Sequence, residues 1–118
     1  MRMWMVNPSS MCRKHLLGEH VEIHMFTGTL KKKKNISGYI KNNLLEPLSI
    51  SKRHDELVQE MRKRGYEHNS QLNSPNISYL SDIEQNYKID DKKSLLDLTK
   101  RCSICKERGQ KRVQTTNI

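Results

Sequence analysis

Apolar side chains recur at helical spacing in three stretches of the chain. In the first, Leu16, Leu17, Val21, Ile23 and Phe26 lie between an Asn7-Pro8 pair and Gly28. Asparagine is a good N-cap, proline suits a first helical turn and glycine weakens a helix, so the pattern predicts a helix over about 8–28. In the second, Leu57, Val58 and Met61 make a stripe that Ser49 or Ser51 can cap and Gly65 can stop just after Arg64. In the third, Leu95, Leu96 and Leu98 follow Asp90 and Asp91, with Arg101 to Lys106 beyond them.

The intervals read as connections. Lys31 to Asn35 is a charged turn, and Gly38 to Leu45 is a short helical or turn segment that ends before Pro47. Asn42 and Asn43 in it are loop residues able to contact phosphates or bases. Tyr66 to Ser78 is rich in Asn, Ser, Gln and Pro and reads as a loop, while Tyr79 to Tyr87 holds a short helix. No alternation of strand length is present. The pattern predicts an all-α fold: one small domain of about three main helices with long connections, over residues 1–108, followed by a basic flexible tail over 109–118.

Composition narrows this picture. At 118 residues and 34% hydrophobic content, the chain suits one domain with a small core. The apolar run Trp4 to Val6 is too short for a membrane span or a secretory signal. Three cysteines without such a signal point to a reducing, cytoplasmic setting rather than a disulfide framework. Asn35-Ile36-Ser37 and Asn76-Ile77-Ser78 match glycosylation acceptors, which carry no meaning in that setting.

The formal charge of +9 comes from clusters at Lys31 to Lys34, Lys52 and Arg53, Arg62 to Arg64, and Lys106 to Arg112. A polyanion is the natural partner of such a surface, and nucleic acid the first candidate. A solvated charge run is the bland alternative. A membrane surface is disfavoured because no basic amphipathic helix carries bulky aromatics. On the second helix the basic residues Lys52, Arg53, Arg62, Lys63 and Arg64 flank the apolar stripe, which places them outward toward phosphates.

Reactive groups are densest near the start. His15, Glu19 and Glu22 fall at i, i+4 and i+7 and make a polar stripe beside the apolar side of the first helix. Carboxylate and imidazole one turn apart can serve as acid and base, or can be an ordinary solvated face. Glu22, between apolar Val21 and Ile23, is the carboxylate set apart by its neighbours. Cys102 and Cys105 form a C-x-x-C, half of a zinc site, and Cys12-x-x-His15 repeats the spacing. Together they can close a Cys3His site joining the C-terminal helix to the first. His20 or His24 can replace His15 there. A redox pair lacks a thioredoxin-like context, and plain buried or surface thiols are the bland alternative.

Met1-Arg2, His15-Leu16 and Glu19 to Glu22, followed by Ser51 to Tyr66 (SKRHDELVQEMRKRGY), resemble the phage-type pyrimidine dimer DNA glycosylases, the dimer-excising endonucleases V. The two segments span roughly half the chain. The resemblance implies a mostly helical fold and a nucleophile that is the α-amine of the first residue, here Met1, with Arg2, His15 and Glu22 at the other catalytic positions. The bulky Arg2 predicts that Met1 is retained. Where the family carries arginines around its catalytic glutamate, this chain has Val21 and Met25. The imine chemistry is untouched by that change, but the lesion need not be a pyrimidine dimer.

The sequence therefore predicts a DNA glycosylase with abasic-site lyase activity. It would work as a monomer on double-stranded DNA containing damaged bases or abasic sites, without a membrane and without a required cofactor, a structural zinc on Cys12, Cys102 and Cys105 aside. Lys31, Lys32, Lys33, Lys34, Lys52, Arg53, Arg62 and Arg64 are the DNA-binding candidates. The alternative is a noncatalytic basic DNA-binding module, zinc-stapled or not. Phage or other viral origin fits the resemblance.

Overall fold

A computed structural model describes residues 1–68 and 70–116, with side chains described as far as residue 111. Its regular structure is all helical, with no strand among the described residues: α1 (Arg13–Lys31), α2 (Ser37–Lys41), α3 (Ile50–Lys63), α4 (Asp82–Gln85), α5 (Asp91–Arg101) and α6 (Ser103–Thr116), with 3-10 turns at Pro8–Ser10 and Pro47–Ser49. The all-α expectation holds.

The first helix begins later than its caps suggested. Asn7 does cap, its side-chain oxygen accepting from the Ser9 N–H at 3.0 Å, but what it caps is the 3-10 turn. Met11 and Cys12 are extended, and α1 starts afresh at Arg13, where the Cys12 sulfur accepts from the His15 N–H at 3.5 Å. Gly28 does not end α1, which runs on to Lys31. A lone glycine lowers helix propensity by only about 1 kcal/mol, and the buried residues Thr27 and Leu30 on either side hold the turn against the core.

The centre of the molecule is the α1–α3 pair. Leu16, Ile23, Phe26 and Leu30 from α1 meet Ile50, Leu57 and Met61 from α3, and Met3, Trp4 and Met11 of the N-terminal segment close one side. That segment is fixed by the Met3 N–H donating to the Leu44 carbonyl at 2.8 Å. At the end of α3, Gly65 has φ +85°, and the Tyr66 N–H reaches back to the Met61 carbonyl at 2.9 Å. This is the left-handed helix ending that glycine adopts without a Cβ penalty.

Two outward placements are corrected. Arg53 is 2% exposed: with Ile50 and Leu57 it lies on the core-facing side of α3, and its guanidinium forms a two-pronged ion pair with buried Glu19 at 2.6 and 2.9 Å. It also donates to the Val6 carbonyl at 2.8 Å, tying the N-terminal segment to both helices. Arg64 bends back to Glu60 at 2.9 Å and to the carbonyls of Pro8 and Met11 at 3.1 and 2.7 Å. Val21, expected on the apolar face, is 55% exposed.

Asn43 is likewise structural. Buried with φ +62°, it donates to the Asp90 carbonyl and accepts from the Asp90 N–H and the Tyr87 hydroxyl, fastening the start of α5. α5 buries Ser94 and Leu98 while Leu95 and Leu96 stay exposed. α6 runs into the expected tail as far as Thr116, and ahead of that tail its Arg108 side chain donates to the Ser9 carbonyl at 3.1 Å. The last two residues of that tail lie outside the described residues.

Candidate active site and thiolate cluster

The N-terminal segment lies across α1, and between them opens a cleft of about 420 Å³. Met1, Arg2, Lys14, His15, Glu22 and Arg101 line it. The lining carries three basic residues, Arg2, Lys14 and Arg101, and two carboxylates, Glu22 and the Arg53-paired Glu19, a combination suited to an anionic substrate and a cationic intermediate. A larger cavity of about 680 Å³ lies along α3 and contains neither Met1 nor Glu22.

The link between the chain's beginning and the carboxylate is direct. The Arg2 backbone N–H donates to Glu22 Oε2 at 3.0 Å, so the Met1 amine is one residue from that bond and shares its cleft. The Arg2 side chain turns the other way. It stacks on the Trp4 ring at 3.7 Å, donates to Ser94 Oγ at 3.3 Å and pairs with Asp97 at 3.7 Å. Burial lowers its pKa, with Asp97 opposing, but a guanidinium starts high enough to stay charged. Arg2 therefore clamps α5 to the N-terminal segment while its amide meets Glu22.

His15 joins the cleft to a second group. Its Nδ1 lies 3.2 Å from Cys12 Sγ and 3.6 Å from Cys105 Sγ, and Cys102 Sγ lies 3.8 Å from Cys12 Sγ. The four ligand atoms fall within 4.8 Å of one another. A tetrahedral zinc with three thiolates and one imidazole has S···S edges of about 3.8 Å and S···N edges of about 3.6 Å. The cluster is thus close to the size the ion requires.

Its electrostatics are divided. Burial pushes the Cys102 thiol up, but hydrogen bonds from the Cys105 N–H and the neighbouring thiols outweigh it, and the net shift is downward. Burial drives Cys105 up to about 12, so a cation is needed to hold it as thiolate. The Cys12 N–H donates to Cys105 Sγ at 3.2 Å and the Cys105 N–H to Cys102 Sγ at 3.4 Å, contacts that stabilise charge on sulfur. Burial, then Lys14 and Arg101, lowers the His15 pKa, which favours the neutral, ligating form.

His20 and His24 are not part of this cluster. They gather instead with His54 and His68, two residues that no spacing in the sequence connects with them. Burial, then the three neighbouring imidazoles, pushes His20 down to about 4. The i, i+4 spacing of His20 and His24 is a visible signal. The contributions of His54 and His68 are not, since they depend on how α3 docks.

The surface candidates divide in two. Lys31, Lys32, Lys33, Lys34, Lys52 and Arg62 are exposed, whereas Arg53 and Arg64 are engaged as above. Val21 and Met25 are 55% and 52% exposed, one turn apart on the open face of α1 beside Glu22.

The sequence model of the pyrimidine dimer DNA glycosylases matches residues 1–74 of the 118. The chain belongs to that family. The matched stretch of this glycosylase family member covers the N-terminal segment, α1 and α3, and with them Met1, His15 and Glu22, while Cys102, Cys105 and helices α4 to α6 lie beyond it. Membership implies a DNA glycosylase, with DNA containing pyrimidine dimers as the family's substrate. No curated protein and no solved structure matches the chain at significance. No helix of the described residues is long and apolar enough to cross a membrane.

Proposed function

We propose that this glycosylase also cleaves the DNA strand at the resulting abasic site, through an imine on the Met1 amine. The observation that carries the reading is the 3.0 Å bond from the Arg2 N–H, one residue along from the first α-amine, to Glu22, in a basic cleft that Met1 also lines. An α-amine titrates near 8, far below a lysine, so a useful fraction of such groups is neutral and nucleophilic at physiological pH. Attack of the amine at the deoxyribose C1′ breaks the bond to the base, which departs with its electron pair and takes up a proton. Loss of the amine proton and opening of the sugar ring leave a protonated imine. Its C2′ proton is then acidic enough to be removed, and the 3′ phosphate leaves by β-elimination. Water hydrolyses the imine and frees the amine.

Glu22 is assigned two tasks, stabilising the cationic sugar and moving protons. For His15 the geometry supports ligation over proton transfer, because Nδ1 faces the sulfurs. Cys12, His15, Cys102 and Cys105 would hold a zinc ion, whose chemistry there is structural: it fastens the start of α1 to the α5–α6 junction. Lys31 to Lys34, Lys52 and Arg62 are proposed to grip phosphates. Residues 1–116 act as one unit on this reading, with α6 packed on the Pro8–Ser10 turn.

The lesion is tested with a panel of duplexes, each carrying one defined damage, a cyclobutane pyrimidine dimer and a plain abasic site among them. Glycosylase plus lyase action gives strand cleavage at the dimer and at the abasic site. Glu22→Gln is expected to slow cleavage by about 10²–10⁴-fold, the span of general acid–base contributions, while DNA affinity stays within about twofold. Binding without cleavage of any duplex in the panel would favour a noncatalytic DNA-binding module.

A further inference from the structure

His20 and His24 stand one turn apart on α1 and face α3, which supplies His54, and His68 reaches the same place from the irregular segment after α3. The His20 and His54 rings each pack against the other three with centroids 4.8–5.2 Å apart, and the candidate ligand nitrogens of all four residues lie within 4.8 Å of one another. None of the four lines the Met1–Glu22 cleft or touches the thiolate cluster.

Packed histidines are common enough, but these carry unmet demands that a hydrophobic core does not create. The Nε2 atoms of His24 and His54 are buried without a hydrogen-bond partner, and His54 is only 4% exposed. A buried ring nitrogen left unpaired is costly, and native structures seldom tolerate two side by side. His20 Nε2 and His68 Nε2 meet at 2.9 Å, and one ring nitrogen from each of the four residues lies within 4.8 Å of the others. On the other edge of the His54 ring, Nδ1 lies 3.2 Å from Asp55 Oδ1. A carboxylate there keeps the proton on Nδ1 and the lone pair on Nε2, the arrangement by which metal-bound imidazoles are usually oriented.

We propose that His20, His24, His54 and His68 form a closed site for a divalent transition-metal ion of borderline softness, zinc before others, bound through one ring nitrogen of each. Four neutral nitrogens disfavour magnesium and calcium, which take oxygen ligands. Zinc–nitrogen bonds of about 2.0–2.1 Å put the nitrogens of a tetrahedron about 3.4 Å apart, so the His20–His68 pair opens slightly on binding. With four protein ligands and no position left for water, the ion is structural. It pins the start of the Tyr66–Ser78 stretch, which has no helix among its described residues, to the α1–α3 pair, independently of any lyase chemistry at Met1.

The test uses the untagged full chain loaded with zinc or with cobalt as its spectroscopic substitute. Elemental analysis is expected to give two metal equivalents per chain when the thiolate cluster also fills. His68→Gln should lose one equivalent yet keep the thiolate-to-cobalt charge-transfer absorption. Cys102→Ser should weaken or abolish that absorption and still bind one equivalent through nitrogen alone. His24→Gln, on a folded helix whose circular dichroism can be checked, should repeat the His68→Gln loss. The site is overturned if Cys102→Ser binds no metal, or if both histidine variants keep the full wild-type content. Should the thiolate cluster prove metal-free, the wild type would hold one equivalent with no thiolate absorption, and the histidine site would stand.

Discussion

Replacing Arg53 by methionine removes one side chain and leaves several groups stranded. Arg53 makes the 2.6 and 2.9 Å bonds to Glu19, the 2.8 Å bond to the Val6 carbonyl and a 3.5 Å approach to Glu56. Without it the Glu19 carboxylate, with a fully buried side chain, loses its ion-pair partner and keeps only the more distant charge of Arg2. Breaking a buried pair from one side costs about 3–5 kcal/mol, chiefly the desolvation of the charge left behind. A domain of this size loses roughly 4 °C of Tm per kcal/mol, so Arg53→Met should melt about 12–20 °C lower. Adding Glu19→Leu should recover most of that decrease, because the pair then becomes apolar on both sides. Thermal and denaturant unfolding of wild type, single and double variant measures this. A single variant within about 1 kcal/mol of wild type would refute the buried-pair account, the more so if the salt dependence of DNA binding weakened by the roughly 0.9 in slope that removal of one phosphate-neutralising cation produces.

Other outcomes follow from the same geometry. Lys32→Met with Lys33→Met should flatten the salt dependence of DNA affinity by about 0.9 in slope for each phosphate no longer neutralised, with Tm nearly unchanged since both side chains are exposed. Val21→Arg should tighten DNA binding and steepen its salt dependence, as the position is open beside Glu22; electrophoretic or fluorescence titration at two salt concentrations reads it. Cys105→Ser should release metal from the thiolate cluster and lower Tm, and a strong chelator should do the same to the wild type, seen by elemental analysis and calorimetry. An N-terminal extension should abolish strand cleavage while leaving DNA affinity intact.

Much of the scaffold can be read from residue order because local chemistry and global packing agree there. Gly65 stops α3, Asp90 caps α5, and the C-x-x-H and C-x-x-C spacings come together as their ligand chemistry suggests. Glu19 and Arg53 look like surface charges in the sequence, although Leu16, Glu19, Ile23, Phe26 and Leu30 step by three and four along one face of α1. Periodicity locates Glu19 in the seam; only the partner helix shows that a guanidinium fills the space opposite. Val21 misleads for the converse reason, since an apolar residue off the seam points to solvent. Leu95 and Leu96 are exposed because α5 turns small Ser94 toward Trp4, whose carbonyl the serine hydroxyl meets. The four-histidine cluster is half visible, its other half depending on an irregular segment with no periodicity to read.

The central claim is that the first α-amine, which shares its cleft with Glu22, is the nucleophile. Borohydride reduction of the untagged protein with abasic-site DNA, followed by peptide mapping, tests it most directly. The account predicts a stable one-to-one protein–DNA adduct on residue 1 alone. No adduct at all, or an adduct mapped to a lysine such as Lys14 with residue 1 unmodified, would contradict it.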